Sequence, residues 1–90
     1  MGEVITGAKI SVKYRAHLAA LVNKDSESIT ALNVKDVLKH IKKQYGSDAE
    51  KLAKTMLIVV NGQSILMLKH FKTVLKDGDE VGFFPICGGG

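Results

Sequence analysis

The stretch Asn33-Val34-Lys35-Asp36-Val37-Leu38-Lys39-His40-Ile41-Lys42-Lys43-Gln44-Tyr45-Gly46 decides the fold. Val34, Val37, Leu38, Ile41 and Tyr45 recur at three- and four-residue steps, which gathers them into one apolar stripe of an amphipathic helix. Asn33 is placed to cap the first turn, with Asp36 three residues on as a variant of the capping box, and Gly46 predicts a left-handed stop. Ser47 and Glu50 form a second capping box, which predicts a short further helix through Leu52 and Ala53. An apolar stripe of this kind has to be covered, and the flanking sequence supplies strands to cover it.

Upstream, Lys9 to Arg15 alternate, with Ile10, Val12 and Tyr14 on one face and Lys9, Ser11, Lys13 and Arg15 on the other, as in a half-buried strand. Leu18 to Val22 is apolar but short, a turn of helix or an irregular loop. A second strand is predicted around Ser28 to Ala31, with Ile29 and Ala31 inward. Downstream, Met56 to Val60 is a continuous apolar run that reads as a strand covered on both sides. Asn61-Gly62 is a strong hairpin signal, Ile65, Leu66 and Leu68 predict a short strand, and Asp77-Gly78 marks another turn. The last strand runs from Glu80 to Ile86. Its parity puts Val81 and Phe83 toward the helix, and Phe84 and Ile86 on the open face, where an exposed aromatic suits a partner-binding role. The sum is an α+β domain, a single mixed sheet with one main helix packed on one face.

Composition sets limits. Ninety residues, 46% of them hydrophobic, make one small core with no room for a deep active site. Thirteen basic residues against nine acidic ones give a net charge of +4, but Arg15 is the only arginine and tryptophan is absent, so nucleic acid is not an expected partner. The lone Cys87 excludes an internal disulfide and points to a reducing compartment, with the cytoplasm as the expected location. The run Met56 to Val60 is too short to cross a bilayer, and the loose acylation pattern from Met1-Gly2 to Thr6 is too common to carry a membrane assignment.

Catalytic constellations are missing. His17, His40 and His70 are scattered and read as surface or loop residues, without metal-ligand spacing. Asp77, Asp79 and Glu80 straddle a turn glycine and read as turn formers. Lys35, Lys39, Lys42 and Lys43 read as a solvated helix face, with partner binding as the other reading. What remains is Phe83-Phe84-Pro85-Ile86-Cys87-Gly88-Gly89-Gly90, a strand leading into glycines. Glycine fits a slot too narrow for side chains, and four extended residues reach about 13–14 Å. Such an end either places a carboxylate inside another protein or is a frayed terminus without a role.

This tail, with Val59-Val60-Asn61-Gly62, Leu75-Lys76-Asp77-Gly78-Asp79-Glu80-Val81 and Phe83-Phe84-Pro85, resembles the ubiquitin-like sulfur carriers of the MoaD/ThiS family, which include the small subunit of molybdopterin synthase. The resemblance runs from Lys9 to the end and implies a β-grasp fold, with residues 1–86 as the domain and 87–90 as a flexible glycine tail. It implies that Gly90 is the adenylate and thiocarboxylate site, that Gly88 and Gly89 enter a partner's slot, and that Phe84 and Ile86 bind partners. The implied partners are a ubiquitin-type activating enzyme (an adenylyltransferase) and the large subunit of molybdopterin synthase or another sulfur acceptor. The chain itself would be a monomer when free and no enzyme, binding no cofactor or metal, with ATP used by the activating enzyme. Relatives of the molybdopterin type have a second proline and a small apolar residue where this chain has Ile86 and Cys87, and they end in two glycines rather than three. Length favours molybdopterin synthesis. A carrier for thiamine or another pathway, a protein modifier conjugated through Gly90, and an unrelated binding domain are the alternatives. Cys87 is either a small apolar filler or a holder of sulfur.

Overall fold

A computed structural model describes residues 7–86. The expectations for Met1 to Thr6 and for Cys87, Gly88, Gly89 and Gly90 lie outside the described residues, as does the division between domain and tail. The elements, in chain order, are β1 (Ala8–Lys13), α1 (Ala16–Val22), β2 (Ser26–Ala31), α2 (Val34–Tyr45), α3 (Ser47–Lys54), β3 (Leu57–Val60), β4 (Gln63–Ser64) and β5 (Glu80–Phe84). Two 3-10 turns, Ile65–Met67 and His70–Lys72, lie between β4 and β5. The sheet order is β2-β1-β5-β3-β4. β5 runs parallel to β1 and antiparallel to β3, so the sheet is mixed.

The alternation in β1 and β5 puts Ile10, Val12, Val81 and Phe83 under the helices. Val34, Val37, Leu38 and Ile41 of α2 meet them, and Ala49 and Ala53 of α3 and Leu18 and Val22 of α1 complete the same core. Phe83 is fully buried and stacks on Tyr14 with ring centroids 6.2 Å apart. Leu18 to Val22 is therefore helix, which Asn23 ends in the left-handed conformation at φ 59°.

α2 begins as its sequence predicts. The Asn33 side chain accepts from the Asp36 N–H at 2.9 Å, while the Asp36 carboxylate reaches back to the Leu32 N–H at 3.0 Å. Its end is different. Gly46 has φ 101° and ψ 167°, a conformation outside the left-handed helical region. Its N–H bonds to the Lys42 carbonyl and its own carbonyl accepts the Glu50 N–H, so one residue closes α2 and opens α3. That shared joint puts Ser47 inside α3, and no side chain caps this helix.

Three further expectations need correction. β3 is covered on one side only: Ile58 and Val60 face the core, while Leu57 is 37% exposed. Ile65 to Leu68 form no strand, because the Ser64 hydroxyl accepts the Leu66 N–H and turns the chain into a 3-10 turn. The last strand stops at Phe84, short of Ile86. The hairpin itself stands: Asn61 and Gly62 both have positive φ, 52° and 83°, and close Val60 against Gln63 as a type I′ turn does.

A polar cluster finishes one end of the core. Glu27 faces inward from β2, and its Oε2 accepts from the Tyr14 hydroxyl (2.5 Å), the Tyr45 hydroxyl (2.9 Å) and His40 Nε2 (3.1 Å). Lys24 Nζ lies 3.4 Å from Oε1. Burial raises the carboxyl pKa, but the hydrogen bonds from Tyr14, Tyr45 and His40 outweigh it and hold Glu27 below its ordinary value. Burial, and then the Glu27 carboxylate, push the Tyr14 hydroxyl well up. His40 is thus a partnered, half-buried helix residue rather than a free surface one.

Candidate functional site

The open face of the sheet is built from the positions that alternate away from the core. In β5 these are Glu80, Gly82 and Phe84. A Cβ on Gly82 would lie 2.8 Å from Phe84 Cε1 and 3.3 Å from Val59 Cγ2, because the Phe84 ring lies back over the glycine. The missing side chain at residue 82 is what lets this aromatic lie across the strand. Arg15 covers it from the β1 side, with its guanidinium carbon 5.2 Å from the ring centroid. Leu57 pairs with Phe84 from β3, and Lys13 pairs with Gly82 from β1.

Beyond β3 the apolar surface continues. A cleft of about 220 Å³ is lined by Leu57, Leu66 and Ile86, together with Met56 and Phe71. Leu66 is 66% exposed and Ile86 62% exposed. Phe84 and Ile86, the two partner-binding residues expected from sequence, are therefore joined by Leu57 into one apolar surface with Lys13 and Arg15 on its flank. A contiguous exposed apolar patch on a small domain is a feature of protein-binding sites. Leu57 and Leu66 were missed by sequence reasoning. The signal was the parity of Leu57 against Ile58 and Val60, hidden inside an unbroken apolar run.

The remaining candidates resolve into structural roles. Asp77 Oδ1 accepts the Lys9 N–H at 2.8 Å. Asp79 accepts from the Asn61 side chain at 2.9 Å and from the Lys76 N–H at 2.8 Å, and these bonds, Asn61 first, hold its carboxyl below the ordinary range. Asn61 in turn accepts the Glu80 N–H, so the hairpin and the turn before β5 are tied together. His17 and His70 are exposed. Among the described residues, no group of three His, Cys, Asp or Glu side chains is placed to hold a metal, and no helix is long and apolar enough to cross a membrane.

A five-stranded mixed sheet with helices on one face, and with first and last strands side by side at its centre, is a ubiquitin-like β-grasp. The sequence model of the ThiS family matches residues 12–90, and the chain belongs to that family of ubiquitin-like sulfur carriers. Small archaeal modifier protein 1 from Methanosarcina acetivorans is 26% identical, with a TM-score of 0.80 over 93% of this chain and 98% of that one. A Pyrococcus furiosus chain assigned as subunit 1 of molybdopterin converting factor is 30% identical, with a TM-score of 0.67 over 87% and 97%. The complex of subunits 1 and 2 of molybdopterin-converting factor from Helicobacter pylori 26695 contains a chain of the same fold, 21% identical, with a TM-score of 0.65 over 90% and 99%. In that structure the homologue sits in a complex with a partner subunit. No curated protein matches the chain by sequence. Small carriers of this family are generally non-catalytic.

Proposed function

We propose that the chain carries sulfur as a thiocarboxylate on Gly90 and donates it in molybdopterin biosynthesis. The observation that carries this reading is the apolar face formed by Leu57, Phe84 and Ile86, which lies directly before Cys87 and the glycines and within the family match that runs to residue 90. A carboxylate is a poor electrophile. Its oxygen attacks the α-phosphate of ATP in an activating enzyme, pyrophosphate leaves, and a sulfide equivalent then displaces AMP to leave C(O)S⁻ on Gly90. Gly88 and Gly89 have no side chains to obstruct a narrow slot, and Phe84 and Ile86 dock the domain outside it. In this reading the protein is a cytoplasmic monomer between encounters and binds no cofactor of its own. The general acids and bases belong to the activating enzyme and to the large subunit that accepts the sulfur.

The Pyrococcus furiosus relative supports the molybdopterin assignment. The likeness to the Methanosarcina acetivorans modifier favours a second reading, in which the activated Gly90 acylates lysines of other proteins. Intact mass spectrometry after incubation with the activating enzyme, ATP and sulfide separates the two. Replacement of one oxygen by sulfur, mapped to Gly90, supports the carrier, and transfer is then followed with the large subunit and a pterin precursor. Attachment to lysines without sulfur exchange supports the modifier, and an unaltered chain refutes both.

A further inference from the structure

A second surface lies on the helical side and meets the first cleft at Lys54 and Phe71, which line both. Lys35, Lys39 and Lys42 form one stripe of α2 and border a groove of about 460 Å³. Lys54 of α3 and Lys72 of the second 3-10 turn close its other sides. Glu50, the one carboxylate among the lining residues, already pairs with Lys54 at 3.6 Å, so the groove holds a large excess of positive charge. Its lining is not only charged: Leu38 lies at its base and Phe71 stands beside it, 39% exposed. The placement of Phe71 is built in. His70 adopts φ 54°, and Thr73 Oγ1 donates to the His70 carbonyl while accepting the Lys69 N–H, which locks the turn that presents the ring. A merely solvated lysine face needs neither an exposed phenylalanine nor a strained turn to hold it.

We propose that this groove binds an acidic segment of a partner protein, a short stretch in which carboxylates flank one apolar side chain. The carboxylates meet the lysine stripe and the apolar side chain packs between Leu38 and Phe71. A nucleic acid strand fits less well, because the groove has no arginine and one aromatic ring where a base-stacking platform has several. The site is independent of the sulfur-carrier reading, and Phe84 does not line it.

The test is fluorescence anisotropy of the full chain with a labelled polyglutamate peptide bearing one central phenylalanine. Saturable binding is expected at low salt, fading toward 1 M salt as the screening length falls to about 3 Å. The double variant Lys39→Glu/Lys42→Glu and the variant Phe71→Ser should each weaken it by at least about tenfold, whereas Phe84→Ala should leave it unchanged. All four positions are read against thermal melts; should Phe71→Ser fail to fold, the charge-reversal pair decides. Equal binding of a peptide with serine in place of phenylalanine overturns the proposal. So does displacement of the peptide by a lower concentration of single-stranded RNA, or the absence of saturable binding.

Discussion

Phe83 and Phe84 are chemically identical neighbours with opposite consequences when cut back to alanine. Phe83 is fully buried, stacked on Tyr14 and paired with Ile58 across β3. Removing its ring leaves a cavity in a close-packed core and costs about 3–5 kcal/mol. A domain of this size has about 5–15 kcal/mol in all, and each kcal/mol moves its Tm by about 4–8 °C, so Phe83→Ala should melt about 12–40 °C lower. Phe84 is half-buried on the open face. Its truncation removes the contact with Arg15 and uncovers Gly82, which should cost at most about 1.5 kcal/mol. Binding behaves in reverse. An aromatic at the centre of a docking face is worth about 1–3 kcal/mol, so Phe84→Ala should weaken binding to the activating enzyme or acceptor subunit by about 5- to 150-fold. Calorimetric melts and binding titrations on both variants read the two effects separately. A Phe84→Ala protein that unfolds, beside a Phe83→Ala protein that melts normally and loses only binding, would refute the assignment of the docking face.

Three other outcomes follow from the same geometry. Glu27→Gln should lose about 1.5–3 kcal/mol, because three donors lose a charged acceptor, and urea melts measure it. The folded Glu27 carboxyl lies below its ordinary value of 4.5, so its contribution is complete above that pH and is lost as pH falls through the depressed folded value. Stability of the wild type should therefore fall on acidification below about pH 5, and Glu27→Gln should flatten that limb. Gly82→Ala should push the Phe84 ring off the strand, since the new Cβ would sit 2.8 Å from Cε1. It should weaken partner binding while leaving the melt within about 1 kcal/mol of wild type, a shift visible in the aromatic NMR resonances. Deleting Gly89 and Gly90 should abolish thiocarboxylate formation in the mass assay with an unchanged melt, because β5 ends at Phe84 and the last core residue among those described is Phe83.

The period of α2, the alternation of β1 and the Asn61-Gly62 turn were legible because each is a local pattern with one physical solution. Phe83 in and Phe84 out followed from parity alone. The errors arose where two local preferences competed for one residue or where partners are distant. Ser47 is a good cap in isolation, but Gly46 already serves both helices and leaves it no place. Leu66 suits a strand by composition, yet a hydroxyl two residues earlier takes its N–H. In Met56 to Val60 parity separates Leu57 from Ile58 and Val60, but nothing in that run says that Phe84 and Leu66, rather than a second helix layer, will lie beside Leu57. The Glu27 cluster collects residues from β2, α2 and the position after β1, and no local period announces it.

The pairing of β1 with β5 has a mechanical consequence. β5 is clamped on both edges, by β1 through Ser11, Val12 and Lys13 and by β3 through Leu57 to Val60. The β1 contacts are parallel, so a pull on the chain beyond Phe84 against a hold on the opposite end slides the two strands along each other. Hydrogen bonds in that geometry share the load and must break together, whereas a hairpin opened from its ends gives way one bond at a time. Forced unfolding is set by the height of that barrier rather than by equilibrium stability. A partner that grips the residues after Phe84 and draws them into a slot therefore hauls on the stiffest part of the sheet. In the proposed function, the load from such a grip falls on paired strands that resist it together.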